Sequence, residues 1–300
     1  MTVLQRYVLS LVVRRPGAKR LLSTSTALEL VSTRYGDPAK DRAHPPLVIC
    51  HGLFGNKNNW NSVSKAMQRR LGSTIYCLDL RNHGESPWSD EMSYDDMSED
   101  VVAFLRNISK ETGFSKFHLL GHSMGGRLAM RMAVDRTWQQ LIDRLIVEDV
   151  SPRAYELDFT AHVIFRKYIH AMAAMDLTKS RREILKELED IVPDIGVRQF
   201  LLTNLAPSDV RGVSRWKCNL QAIDKNLESL LRYNVPEGVF ERPTLFVYGK
   251  KSEYIKEKDQ GSVRSIFPSV QYDGISDAGH WVHAEQPYAF MDSICNFLTR

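Results

Sequence analysis

The chain has 300 residues, 43% hydrophobic and 25% charged, an ordinary globular composition with enough apolar material for one large domain or two modest ones. That excludes disorder as the main state, and the longest purely apolar runs, 101–105 and 171–175, are far short of the roughly 20 residues a membrane-spanning helix needs. The formal net charge of +4 is no nucleic-acid signal: Arg6, Arg14, Arg15, Lys19 and Arg20 precede the first acid, Glu29, and the remainder holds 35 basic against 36 acidic residues.

Residues 1–26 are basic, acid-free and Ser/Thr-rich, with Leu4, Val8, Leu11 and Val12 at helical spacing. These are features of a mitochondrial transit peptide. A secretory signal fits less well, because the apolar stretch 7–13 is broken by Ser10 and followed by Arg14 and Arg15. The expectation is a matrix location, with residues 1–26 set apart from the fold.

From residue 27 the pattern alternates. Short apolar runs predict strands at 28–35, 47–50, 75–79, 117–120, 145–150, 244–248 and 270–272, and helical spacing predicts helices at 60–71, 98–108 and 125–134. Alternating β and α predicts an α/β fold with a mostly parallel, doubly wound sheet. Between 151 and 242 only helical patterns are found, at 159–175, 181–191, 197–205 and 214–233. The expected organisation is a core of 27–150 and 243–300 with a helical cap, 151–242, over one edge of the sheet. Cys50, Cys77, Cys218 and Cys295 are far apart with no CxxC pair, so neither a disulfide nor a zinc site is indicated.

Gly121-His122-Ser123-Met124-Gly125 matches G-x-S-x-G, with an apolar strand before it and a helical pattern after it. Such a strand-to-helix turn presents Ser123 Oγ at the C-terminal edge of the sheet. It also aims the Met124 amide, at a helix N-terminus, where an anionic oxygen would form. A second amide is expected from His51-Gly52-Leu53-Phe54-Gly55, the loop after an early strand; Leu53 is the favoured donor, with Phe54 as the alternative. A serine nucleophile needs an imidazole base, and His280 in Asp277-Ala278-Gly279-His280-Trp281-Val282-His283 is best placed. His122 is part of the turn, His51 and His83 lie in βα loops, and His283 is expected to face the cap.

The acid should fall between serine and histidine in chain order. After the strand 244–248, Ser252 stands where an Asp would be expected, with Glu253 one place off. At the end of the strand 145–150, Asp149 precedes Val150-Ser151-Pro152 on the same edge as Ser123. Asp149 is favoured, with Glu253 and Asp277 as alternatives. Asp79-Leu80-Arg81-Asn82-His83-Gly84-Glu85-Ser86 reads as a structural turn bracing the site. Phe159, Ile164, Phe165, Tyr168 and Met172 are candidates for an acyl pocket or for plain cap core.

Together, HGLFG, DLRNHGESP, GHSMGGR, VEDVSP and AGHWVHAEQP resemble the α/β-hydrolase superfamily, most closely its mitochondrial abhydrolase-domain serine hydrolases and their small bacterial carboxylesterase relatives. The resemblance runs from about residue 46 to the end. It implies an α/β-hydrolase fold with a helical cap after strand 6, and a triad of Ser123, Asp149 and His280. It also implies hydrolysis of acylglycerol or other lipid-like acyl esters through an acyl-enzyme, in the mitochondrial matrix. Leu53 and Met124 would hold the oxyanion, with no metal or organic cofactor. Fungal relatives transfer acyl groups to alcohols, so acyl transfer or thioester cleavage stays open, as does a non-catalytic role guarding a mitochondrial enzyme complex. The expected partner is a small acyl ester; no nucleic acid is expected.

Overall fold

The computed structural model describes residues 27–154, 156–255 and 260–300, without the side chains of 156–160. The transit-peptide expectation for 1–26 lies outside them. The strands are β1 (Ser32–Tyr35), β2 (Leu47–Cys50), β3 (Ile75–Leu78), β4 (Phe117–His122), β5 (Ile142–Glu148), β6 (Leu205–Pro207), β7 (Ser214–Trp216), β8 (Thr244–Gly249) and β9 (Val270–Ile275). The helices are α1 (Asn61–Leu71), α2 (Tyr94–Thr112), α3 (Met124–Val134), α4 (Glu156–Ala173), α5 (Arg181–Glu187), α6 (Ile195–Leu201), α7 (Leu220–Leu231), α8 (Gln260–Ile266), α9 (Val282–Glu285) and α10 (Pro287–Leu298).

Seven strands form the main sheet in the order β1-β3-β2-β4-β5-β8-β9, parallel except for β1, which pairs antiparallel with β3 at the edge. Period-2 alternation sorts their side chains. Val48, Cys50, Phe117, Leu119, Leu145 and Val147 join the core under α2, α3 and α8, while Leu47, Ile49, Leu120, Ile146 and Val247 join the core under α1 and α10. Both faces are covered, which is why these strands read as unbroken apolar runs.

Three sequence expectations need correction. Along the chain, the strand before the insertion is the fifth and not the sixth: the five apolar runs between 28 and 150 form β1 to β5. The insertion is not purely helical: β6 and β7 pair antiparallel within it, where helices had been expected to run through 205 and from 214. Predicted helix 214–233 starts instead at Leu220, capped by the Asn219 side chain on the Ala222 N–H. Helix α10 was missed, although Pro287 at its first turn and Phe290, Ile294 and Phe297 at helical spacing were there to read. Among the described residues, no helix is long and apolar enough to cross a membrane.

The turn after β3 is tied to α2 by a buried ion pair. Arg81 Nε and Nη2 donate to the two Asp100 oxygens at 2.6 and 2.8 Å, and its remaining N–H groups reach the Glu91 and Asp96 carbonyls. Burial pushes the Asp100 carboxyl up from its ordinary value, against the pull of Arg81. Losing the guanidinium would strand a buried carboxylate. Arg81→Leu should therefore cost about 3–5 kcal/mol in urea unfolding, whereas Arg34→Leu, which breaks an exposed pair with Glu111, should cost less than about 1 kcal/mol.

Candidate active site

The G-x-S-x-G segment forms a tight strand-to-helix turn. Ser123 sits between β4 and α3 at φ 52°, ψ −114°, a conformation L-residues rarely adopt. Its N–H donates to the Glu148 carbonyl at 3.1 Å, and its carbonyl accepts the Arg127 N–H at 3.0 Å. The flanking glycines are sterically required. A Cβ on Gly121 would lie 2.0 Å from the Gly125 carbonyl oxygen, and one on Gly125 would lie 2.2 Å from that of Cys50. As the first residue of α3, Met124 has an N–H with no intrahelical acceptor.

At the end of β5, Asp149 leaves the strand at φ 50° with its N–H on the Val247 carbonyl. Its carboxylate is buried and accepts three hydrogen bonds. The Gly249 N–H reaches Oδ1 at 3.2 Å, while Ser252 Oγ–H and His280 Nδ1–H both reach Oδ2, the latter at 2.7 Å. Bonding Nδ1 to the carboxylate leaves Nε2 as the free imidazole nitrogen. Of the three candidate acids, Asp149 is the one that meets His280. Asp277 is exposed and pairs with Lys251 at 2.9 Å, which holds its carboxyl below the usual range, and Glu253 is exposed on the cavity lining.

The loop after β2 approaches from the other side. A Cβ on Gly52 would come within 3.2 Å of Ser123 Cβ, so the backbone just ahead of Leu53 runs against the serine. Phe54, at φ 59°, commits its N–H to His83 Nε2 at 3.2 Å, whereas Leu53 lines the cavity beside Ser123. His83 Nδ1–H donates to the Arg81 carbonyl, and His51 similarly accepts the Leu80 N–H while donating to the Gly52 carbonyl. The turn 79–86 thus braces this loop through neutral imidazoles. Its Asp79 accepts the Lys57 N–H and Nζ at 2.7 and 2.6 Å; burial raises its carboxyl, but His51, Lys57 and backbone N–H groups outweigh that and hold it low.

Leu53, Ser123, Met124 and His280 line one cavity of about 320 Å³, roofed by the insertion. Ile164, Phe165 and Tyr168 of α4 lie on its wall as expected, whereas Met172 is buried core away from it; the Phe159 side chain lies outside the described residues. His283 does not face the insertion. It is buried under the opposite sheet face, stacked on Trp60 at 4.0 Å. Two contributors escaped the sequence reading. Ser252 supports Asp149 from the very position where an acid was looked for, and Tyr254 stacks on the His280 ring at 4.2 Å. Among the described residues no group of three or more His, Cys, Asp or Glu is arranged to hold a metal ion.

Burial pushes the His83 imidazole down to about 3, and His51 is lowered mainly by burial too. In the unfolded chain both titrate near about 6.5. On acidification the unfolded state therefore takes up protons first, and stability is lost as pH falls from about 6.5 toward the folded values, by up to about 1.4 kcal/mol per pH unit per histidine. His83→Phe should lower stability at pH 7 by about 1–3 kcal/mol, since it orphans the Phe54 N–H, and should flatten the pH dependence of the urea midpoint between pH 7 and 5.

Residues 45–192 match the model of the alpha/beta hydrolase fold family. The chain is 36% identical over 264 residues to the mouse (Mus musculus) protein named sn-1-specific diacylglycerol lipase ABHD11, covering 86% of this chain and 82% of that one. It is 32% identical over 286 residues to a probable alcohol acetyltransferase of Saccharomyces cerevisiae, covering 90% and 81%. The solved structure of a marine microorganism esterase superposes with a TM-score of 0.80 at 33% identity, over 91% of this chain and all of that one. The chain belongs to the alpha/beta hydrolase fold family.

Proposed function

We propose that the protein is a carboxylic-ester hydrolase that works through an acyl-serine intermediate. The observation that carries this reading is that Ser123, on its strained turn, and His280, whose Nδ1 is hydrogen-bonded to buried Asp149, line one cavity. Relatives named lipase and esterase support it. In the mechanism, Asp149 holds Nδ1–H so that His280 Nε2 is the base. Ser123 Oγ gives its proton to that nitrogen and attacks the ester carbonyl. The Leu53 and Met124 N–H groups receive the developing oxyanion. The intermediate collapses as His280 passes the proton to the departing alcohol. Water then repeats the sequence on the acyl-enzyme, giving the free acid and restoring Ser123.

The insertion 151–242 serves as a cap whose helices supply the acyl wall. The mostly apolar cavity favours an uncharged acyl chain. Acyl transfer to an alcohol is the second reading, favoured by the acetyltransferase relative; the two share every step up to the acyl-enzyme and part at the acceptor.

A fluorophosphonate probe should label Ser123 in the wild type, and Ser123→Ala should fold normally but neither label nor turn over. On nitrophenyl esters, kcat/KM should climb as the acyl chain lengthens into the apolar cavity and then level or fall once the chain outgrows it. Label-free wild type, or turnover retained in Ser123→Ala or His280→Ala, would refute the assignment. Adding an alcohol distinguishes transfer from hydrolysis by its products.

Residues 1–26 act, in this reading, as a matrix-import signal. A fluorescent reporter carrying them should enter mitochondria, and one carrying them with Arg6, Arg14 and Arg15 changed to Glu should not. A reporter left in the cytosol would remove the import assignment.

A further inference from the structure

The residues just before the nucleophile and the acid, His122 and Glu148, share a sheet face. They continue the alternation of Leu120 and Ile146 toward the core under α1 and α10. From there both reach the loop that carries His280. His122 Nε2–H donates to the His280 carbonyl at 3.0 Å. Glu148 Oε1 accepts both the His283 N–H, at 2.9 Å, and His283 Nδ1–H, at 2.8 Å. The His283 ring is wedged between Trp60, stacked at 4.0 Å and 16°, and His122, edge-on at 5.2 Å. Glu148 also gives its carbonyl to the Ser123 N–H.

Glu148 is fully buried, and its second oxygen has no hydrogen-bond partner among the described residues. Burying a carboxylate this way costs more than an apolar side chain would at the same place. Plain packing does not ask for it. What the pair accomplishes is geometric: one residue touches the backbone of the nucleophile, precedes the acid in the strand, and grips the loop of the base three residues beyond the base itself.

We propose that Glu148 and His283 form a positioning pair that sets the register of His280 against Ser123 and Asp149, with His122 as the second tether. The inference rests on the hydrolase reading. Neither residue lines the substrate cavity, so a positioning role acts on the chemical step and leaves binding alone. A misplacement of the base by a fraction of an ångström is enough to slow proton transfer, since a shift of about 1 Å costs up to about 100-fold.

The test is ester turnover normalised to active sites titrated with a fluorophosphonate. Replacing both partners, Glu148→Leu with His283→Leu, leaves no unpaired buried charge and orphans one N–H, at 283, so the fold should survive with reduced stability. Expected is a fall in kcat per titrated site of about 10- to 100-fold with KM within about threefold. Glu148→Gln keeps an oxygen for both His283 donors and should retain at least about a third of kcat. If the double variant does not accumulate as folded protein, His283→Gln removes the ring wedge while keeping the backbone N–H and an amide donor for Glu148, and should show a smaller loss, again in kcat. Turnover per site within about twofold of wild type, or a loss confined to KM or to the fraction of titratable sites, would overturn the inference. A wild type that neither labels nor turns over would remove the hydrolase reading and this inference with it.

Discussion

Everything in the site is referred to the crossing of two backbones at Ser123. The turn holds a non-glycine residue at positive φ, at a cost of about 1–3 kcal/mol, and it closes because Gly121 and Gly125 carry no Cβ where carbonyl oxygens lie about 2 Å from that position. The stabilisation comes from elsewhere. Helix α3 buries nearly its whole length between the sheet and α2, and β4 is hydrogen-bonded on both sides. A strained residue persists when its surroundings leave it no alternative, and here the strain lifts one hydroxyl out of the sheet edge.

The same device recurs around it. Phe54, Asn82 and Asp149 also have positive φ, each at the C-terminal end of a strand or in the loop that follows. The insertion fastens onto two of them. The Asn204 amide donates to the Phe54 carbonyl at 2.7 Å, and the Asn219 N–H donates to the Asn82 carbonyl at 2.9 Å. The roof of the cavity and the loops beneath it are thereby fixed relative to one another by hydrogen bonds in addition to apolar contact such as Phe54 against Phe165.

Electrostatically, the site is surrounded by imidazoles kept neutral. Burial, followed by the neighbouring His280 and His283, holds His122 well below its ordinary value, and His51 and His83 are lowered by burial as well. A neutral imidazole can accept one hydrogen bond and donate another, so each can join two loops without bringing in a net charge. Carboxylates are handled differently: Asp79, Asp100, Glu148 and Asp149 are all buried, and each accepts at least two hydrogen bonds.

The linear pattern alone determined the sheet, the strand-to-helix turn at Ser123 and the glycine loop after β2. These depend on local spacing, on glycines that must sit at set distances from a serine, and on apolar runs whose length reports burial on both faces. It favoured Asp149 over Glu253 and Asp277 but could not show the contact, because which carboxylate meets an imidazole about 130 residues away depends on the order of strands in the sheet, and that order places β5 between β4 and β8. Nor did it place His283, which lies three residues past His280 yet on the other face, or see that Ser252 hydrogen-bonds the Asp149 carboxylate. The β6–β7 pair inside the insertion was also out of reach, since each strand is only three residues long and finds its partner through tertiary packing. Local chemistry is written in consecutive residues, whereas the pairing of distant side chains is settled only when the sheet closes.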